Sequence, residues 1–142
     1  MTGASDIRAI LPHRPPMLLL DAVSASDPAA EVVAHKVITA DERWAVDGEP
    51  YPPMLVLESW CQAAAFLILQ RDPPDPGSPV FLASLGQIKL LGDACPGQVI
   101  DHHVDWVANV GGTPLVCGWS AIGERRILEV GRALLVAGSS TS

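Results

Sequence analysis

Apolar residues fall along this chain in short strand-like runs towards both ends and in one long, almost unbroken run in the middle. The stretch 52–70, PPMLVLESWCQAAAFLILQ, opens on prolines, which the first helical turn tolerates. It is then apolar on nearly every face, and that pattern predicts a buried helix. RDPPDPGSP follows and cannot be helical. Ahead of the helix, residues 5–12 predict one helical turn capped by Ser5 and stopped by Pro12. Residues 17–23 (MLLLDAV) and 31–39 (EVVAHKVIT) predict a strand hairpin linked by the turn-rich SASDPAA. Residues 40–51 have no period and three nearby prolines, and predict a loop. Behind the helix, 80–91, 98–110, 114–123 and 126–138 predict four strands separated by the turns GDACPG, GGT and GER.

The chain of 142 residues thus predicts a single α+β domain over 1–142, with one long helix and six strands. A helix apolar all round needs apolar partners all round. A curled antiparallel sheet wrapped around it supplies them, although the pattern also fits a generic α+β arrangement. With 49% hydrophobic residues a sizeable core is available and disorder is excluded. The net charge of −7 and the scattering of nine Lys and Arg exclude a nucleic-acid binder. Three cysteines (Cys61, Cys95, Cys117) without CxxC spacing give neither a disulfide framework nor a zinc site, and predict a reduced, cytoplasmic setting. The N-terminal stretch lacks the apolar run of a signal peptide. The run Met54–Leu69 comes nearest to a membrane span but carries Glu58, Ser59 and Gln62.

Two motifs and a weaker third point to a family. Leu11-Pro12-His13-Arg14-Pro15-Pro16-Met17-Leu18-Leu19-Leu20-Asp21 resembles the LPHR-x-P-x-LLVD opening of the FabZ-type 3-hydroxyacyl-acyl-carrier-protein dehydratases. Pro52-Pro53-Met54-Leu55-Val56-Leu57-Glu58-Ser59-Trp60-Cys61-Gln62-Ala63 resembles their central helix, PG-x-L-x-x-E-A-x-A-Q-A. Pro96-Gly97-Gln98 is similar to the PGD turn before a long strand. The resemblance spans nearly the whole chain and implies the hotdog fold, a curled antiparallel sheet around one central helix. It also implies elimination of water from a 3-hydroxyacyl thioester on an acyl carrier protein, in fatty acid or polyketide biosynthesis, by a dimer that needs neither metal nor cofactor.

That chemistry requires a base for the α-proton, an acid for the leaving hydroxyl and donors for the thioester oxygen. The resemblance places the family's catalytic Glu at Glu58 and its helix Gln at Gln62, one turn on. The family's loop histidine falls on Trp44, and no histidine occurs between His35 and His102. The family's Gly, whose N–H serves the thioester oxygen, falls on Pro53, which has no N–H. Asp47 and Glu49 are the carboxylates of this loop, and Trp44, Asp47, Glu49, Pro53 and Gln62 are the expected substrate-binding positions.

Asp47-Gly48-x-Pro50 is similar to the stretch in the histidine-less dehydratase subunits of polyene-type pathways. The leading expectation is therefore a subunit whose missing histidine comes from a hotdog paralogue, although a homodimer is also open. A non-catalytic module binding an acyl chain or carrier protein, and a self-sufficient site built from carboxylates, are the alternatives. His13 is expected to be structural, near the substrate entrance. His102 and His103, adjacent on a strand, must face opposite ways. His35 is expected to be exposed, Cys61 buried and inert, and Arg14, Lys89, Arg125 and Arg126 solvated.

Overall fold

The computed structural model describes residues 3–46, 48–72 and 80–137. Helix α1 covers Ala4–Ile10, strand β1 Ala22–Asp27, β2 Glu31–Val37, helix α2 Pro53–Arg71, β3 Val80–Leu90, β4 Val99–Val110, β5 Thr113–Ile122 and β6 Arg125–Ala137. The strands form one antiparallel sheet in the order β1-β2-β4-β5-β6-β3. Helix α2 packs against β2, β3, β4, β5 and β6, so the sheet supplies the apolar surroundings its sequence demands. By length and composition α2 resembles a membrane-crossing helix, yet from Val56 to Leu69 it is almost entirely buried as the core of the domain.

Strand alternation decides which side chains meet the helix. On β4, Ile100, His102 and Val104 are buried, while Asp101, His103 and Asp105 are only partly covered. Trp60 is fully buried against this strand, and its indole N–H donates to the His103 carbonyl at 3.0 Å. On the opposite face His103 stacks on Trp119 with ring centroids 4.6 Å apart, and the Arg126 guanidinium lies 4.3 Å from the same indole. Gly111 and Gly112, at φ 58° and 84°, make the two-residue turn that joins Val110 to Thr113.

Four expectations shift. The strand expected over 17–23 begins only at Ala22. Upstream of it, the Leu19 N–H and the Met17 carbonyl bind the Gln62 side chain instead of a strand ladder. In exchange, β1 runs on through the residues expected to turn, and the reversal is confined to Pro28–Ala30, with the Asp27 carboxylate accepting the Ala29 N–H at 3.0 Å. The first helix starts at Ala4, one residue early, capped by the extended Gly3 in place of Ser5. His35 is half-buried, because its ring nitrogens engage Asp101 at 2.7 Å and Ser24 at 2.6 Å.

Candidate active site

Glu58 and Gln62 are four residues apart on α2, so one stands above the other on the same helix face. Gln62 is buried, and its amide is fully engaged within the chain. Its Nε2 donates to the Met17 carbonyl at 2.7 Å and to Glu58 Oε1 at 3.2 Å, while its Oε1 accepts the Leu19 N–H at 2.8 Å. A backbone donor and a backbone acceptor therefore fix which way the amide points. The same three bonds fasten the 17–19 segment to the helix and hand Glu58 Oε1 a donor.

The Glu58 side chain is 40% exposed, so its carboxylate looks out of the core and avoids the cost of unpaired burial. His13 lies beside it, with Nε2 3.9 Å from Glu58 Oε1. Burial pulls the His13 pKa below its usual 6.5, against the opposing pull of the Glu58 carboxylate, so the imidazole is neutral at neutral pH. The other ring nitrogen, Nδ1, is enclosed and has no hydrogen-bond partner among the described residues. Arg14 does not reach this group. Its guanidinium donates to the Leu11 and His13 carbonyls at 2.8 and 2.7 Å and tightens the turn that presents the imidazole.

At the helix start, Pro52 is the cap and Pro53 the first helical residue, and Pro53 is exposed. The Leu55 and Val56 N–H groups both donate to the Pro52 carbonyl, at 2.9 and 3.2 Å. Met54 is thus the first helical residue with an N–H and the one whose N–H the helix itself does not use. Of the loop residues, Trp44 packs half-buried against the core with the Arg43 guanidinium 5.6 Å from its ring. Glu49 is exposed and, with Val46, Pro50, Asp93 and Cys95, lines a separate cavity of about 400 Å³. Asp47 lies outside the described residues. Among the described residues no hydrogen bond or ion pair joins Glu49 to Glu58. The fold therefore brings together Glu58, Gln62 and His13, and places Trp44, Glu49 and Pro53 apart from that contact.

Two further polar groups lie inside. His102 is fully buried between Ser59 Oγ, 2.7 Å from Nε2, and Ser120 Oγ, 2.6 Å from Nδ1. Burial, helped by His35, His103 and Lys36, drives its pKa down to about 3 and keeps it neutral. This sealed Ser-His-Ser chain has no route to a substrate, so it satisfies polar groups in the core. Lys36, also buried, pairs with Glu42 and lies 5.8 Å from the Tyr51 ring. The Cys61 thiol, half-buried, is pushed up to about 12 by burial and then by Glu58, so it stays protonated and unreactive at neutral pH.

Sequence reasoning did not foresee the approach of His13 to Glu58. The signal was its place in the LPHR motif, but its distance along the chain from Glu58 hid the contact. Alternation set His102 and His103 on opposite faces without saying which one faces in, and the two serine partners of His102 were not foreseen.

No family model matches the chain. It is 31% identical over 131 residues to the 3-hydroxyacyl-[acyl-carrier-protein] dehydratase FabZ of Clostridium kluyveri, covering 89% of this chain and 90% of that one. It is 36% identical over 125 residues to the FabZ of Anaeromyxobacter sp., covering 79% of each. Among solved structures, the dehydratase heterocomplex ApeI:P from Xenorhabdus doucetiae superposes with a TM-score of 0.81 at 17% identity, over 95% of this chain and 92% of that one. Six antiparallel strands around a central helix, together with sequence identity across most of the domain, assign the chain to the hotdog-fold FabZ family of 3-hydroxyacyl-[acyl-carrier-protein] dehydratases.

Proposed function

We propose that this chain is a subunit of a 3-hydroxyacyl-acyl-carrier-protein dehydratase and that a second hotdog chain, paired with it, brings the histidine its loop lacks. The observation that carries the reading is Glu58: a half-exposed carboxyl group on the core helix, anchored through Gln62 to the backbone of the opening motif. In this reading the partner's imidazole takes the α-proton of the thioester. The electron pair left behind forms the Cα–Cβ double bond, and the Cβ–O bond breaks. Glu58 gives its proton to the departing hydroxyl, which leaves as water.

Charge that builds on the thioester oxygen meets the start of α2. Pro53 has no N–H to offer there, and the Met54 N–H takes over that duty at the positive end of the helix dipole. The elimination so written requires no metal or cofactor. Pairing through the outer edge of β3 fits this picture. That edge strand exposes Leu82, Ile88 and Leu90 and, among the described residues, has no strand paired to its outer side. The similarity in fold to a chain of a dehydratase heterocomplex supports a paralogous partner. The unpaired cysteines agree with a cytoplasmic setting.

Loss of both the loop histidine and the Pro53 N–H favours one other reading, a module that binds acylated carrier protein without turning it over. The test offers 3-hydroxydecanoyl-acyl-carrier protein to the chain alone and to the chain co-expressed with a histidine-bearing hotdog protein of its own genome, and follows water loss by mass spectrometry. Turnover only in the pair, cut by about 10²-fold or more in Glu58→Gln, is the expected result. Turnover by the chain alone replaces the partnered site with a self-sufficient one. Binding without turnover in either sample leaves the binding module.

A further inference from the structure

We propose that His13 is a positioning residue for Glu58: with Gln62 it holds Glu58 Oε1 as an acceptor and leaves Oε2 to carry the proton that goes to the leaving hydroxyl. The inference rests on the dehydratase reading and adds a residue to it.

The geometry runs from the backbone outward. The Leu19 N–H and the Met17 carbonyl fix the Gln62 amide, so the group facing Glu58 Oε1 is an N–H and not a carbonyl. Oε1 is thereby committed to accepting. A proton on Glu58 is driven to Oε2, and the 40% exposure of this side chain leaves the carboxyl group within reach of a substrate. His13 Nε2 lies 3.9 Å from the same Oε1 and, as an N–H, adds a second donor to it. The 3.9 Å gap needs only a small closing movement to become a hydrogen bond, as unliganded sites commonly require.

The tautomer follows from the other ring nitrogen. Nδ1 is enclosed, with no partner among the described residues. A bare lone pair there is cheaper to bury than an N–H with nothing to donate to. The proton of the neutral ring therefore sits on Nε2, aimed at Glu58. This arrangement also excludes His13 as the base for the α-proton, because one nitrogen is turned to Glu58 and the other is shut in. The charged groups near the ring are few. Among the described residues Glu58 on α2 is the one charged group that moves its titration, and Arg14 on its own segment is bound to the Leu11 and His13 carbonyls. Protonation of His13 at low pH replaces the neutral donor beside Oε1 with a cation, and a fall in kcat at acid pH is expected from that change.

The test has two arms. In the first, the full chain labelled with ¹⁵N is titrated by NMR. The expected result is an Nε2–H tautomer for His13 and a titration midpoint that falls further in Glu58→Gln, where the carboxylate no longer supports the cation. An Nδ1–H tautomer, or a midpoint unmoved by Glu58→Gln, overturns the proposal whatever the enzyme does. In the second arm, the active preparation converts 3-hydroxydecanoyl-acyl-carrier protein. His13→Ala is expected to lose about tenfold or more in kcat, with KM little changed. His13→Gln, which keeps a donor at the position of Nε2, recovers most of that rate but loses the fall in kcat at acid pH. Equal kcat and equal pH profiles in wild type and His13→Ala overturn the proposal, as does a loss in His13→Ala that His13→Gln repeats in full with the acid limb intact. Absence of turnover by wild type counts against the dehydratase reading instead, and the NMR arm then decides alone whether His13 holds Glu58.

Discussion

At the scale of single residues, a histidine sealed in a core stays there only if its neighbours favour the neutral ring. His102 meets that condition with a serine on each nitrogen and a pKa held near 3 by burial. The unfolded chain binds a proton at this residue near pH 6.5, while the folded chain does not. The contribution of His102 to stability is therefore complete above about pH 6.5 and is lost as pH falls below it. The loss is at most about 1.4 kcal/mol per pH unit. Thermal unfolding of wild type is expected to drop between pH 7 and 5, and His102→Gln is expected to start lower at pH 7 but fall less steeply. Parallel curves for the two proteins would show that other groups set the acid sensitivity. Gln62 carries a comparable structural duty, since Gln62→Leu strands the Leu19 N–H, the Met17 carbonyl and one donor to Glu58. A cost of about 1–3 kcal/mol in chemical denaturation is expected, as the buried Leu19 N–H loses its partner and the partly covered Met17 carbonyl is released.

At the scale of elements, the packing of α2 on β4 leaves little freedom. Trp60→Phe keeps most of the buried volume but leaves the His103 carbonyl without its donor, and about 1–3 kcal/mol of stability should go with it. Calorimetry with wild-type behaviour in that variant would mean that the carbonyl finds another donor. A narrower constraint lies where β4 and β5 cross. A Cβ at Gly118 would stand 1.9 Å from the His103 carbonyl oxygen and 3.1 Å from Val104 Cα. Both neighbours are backbone, so Gly118→Ala can be accommodated only by displacing the β4–β5 ladder. The variant is expected to fold poorly or not at all, judged by circular dichroism and yield. A stable Gly118→Ala protein would show that the strands shift more easily than close packing allows.

At the scale of the whole molecule, the sheet closes on itself nowhere, and its two edges differ. The β1 edge is short and polar, whereas the β3 edge carries exposed Leu82, Ile88 and Leu90, continued by Leu91. An apolar open edge invites a second chain. In the proposed function that chain also completes the site. Replacing Ile88 by Lys is expected to shift the sedimentation coefficient of the assembly towards that of a monomer and to remove dehydration while leaving the fold intact. Unchanged association in this variant would place the interface elsewhere.

The distribution of apolar residues was enough to foresee the central helix as a buried one, because a 19-residue segment apolar on nearly every face needs apolar partners on nearly every side. Alternation placed the later strands and sent His102 and His103 to opposite faces, and the family motifs singled out Glu58 and Gln62. Such features depend on local period or on short runs of sequence, and the chain carries both in its order. What the sequence left open depends on partners far away along it. Residues 17–21 read as a strand because their composition is that of one, but the Gln62 side chain takes the Leu19 and Met17 backbone groups that a ladder would have used. His13 read as scaffolding, and only folding brings its imidazole to 3.9 Å from the Glu58 carboxylate. Side-chain chemistry is written residue by residue, whereas the pairing of an imidazole with a carboxylate is a property of distance, and distance is settled by how the opening segment is tied to the helix.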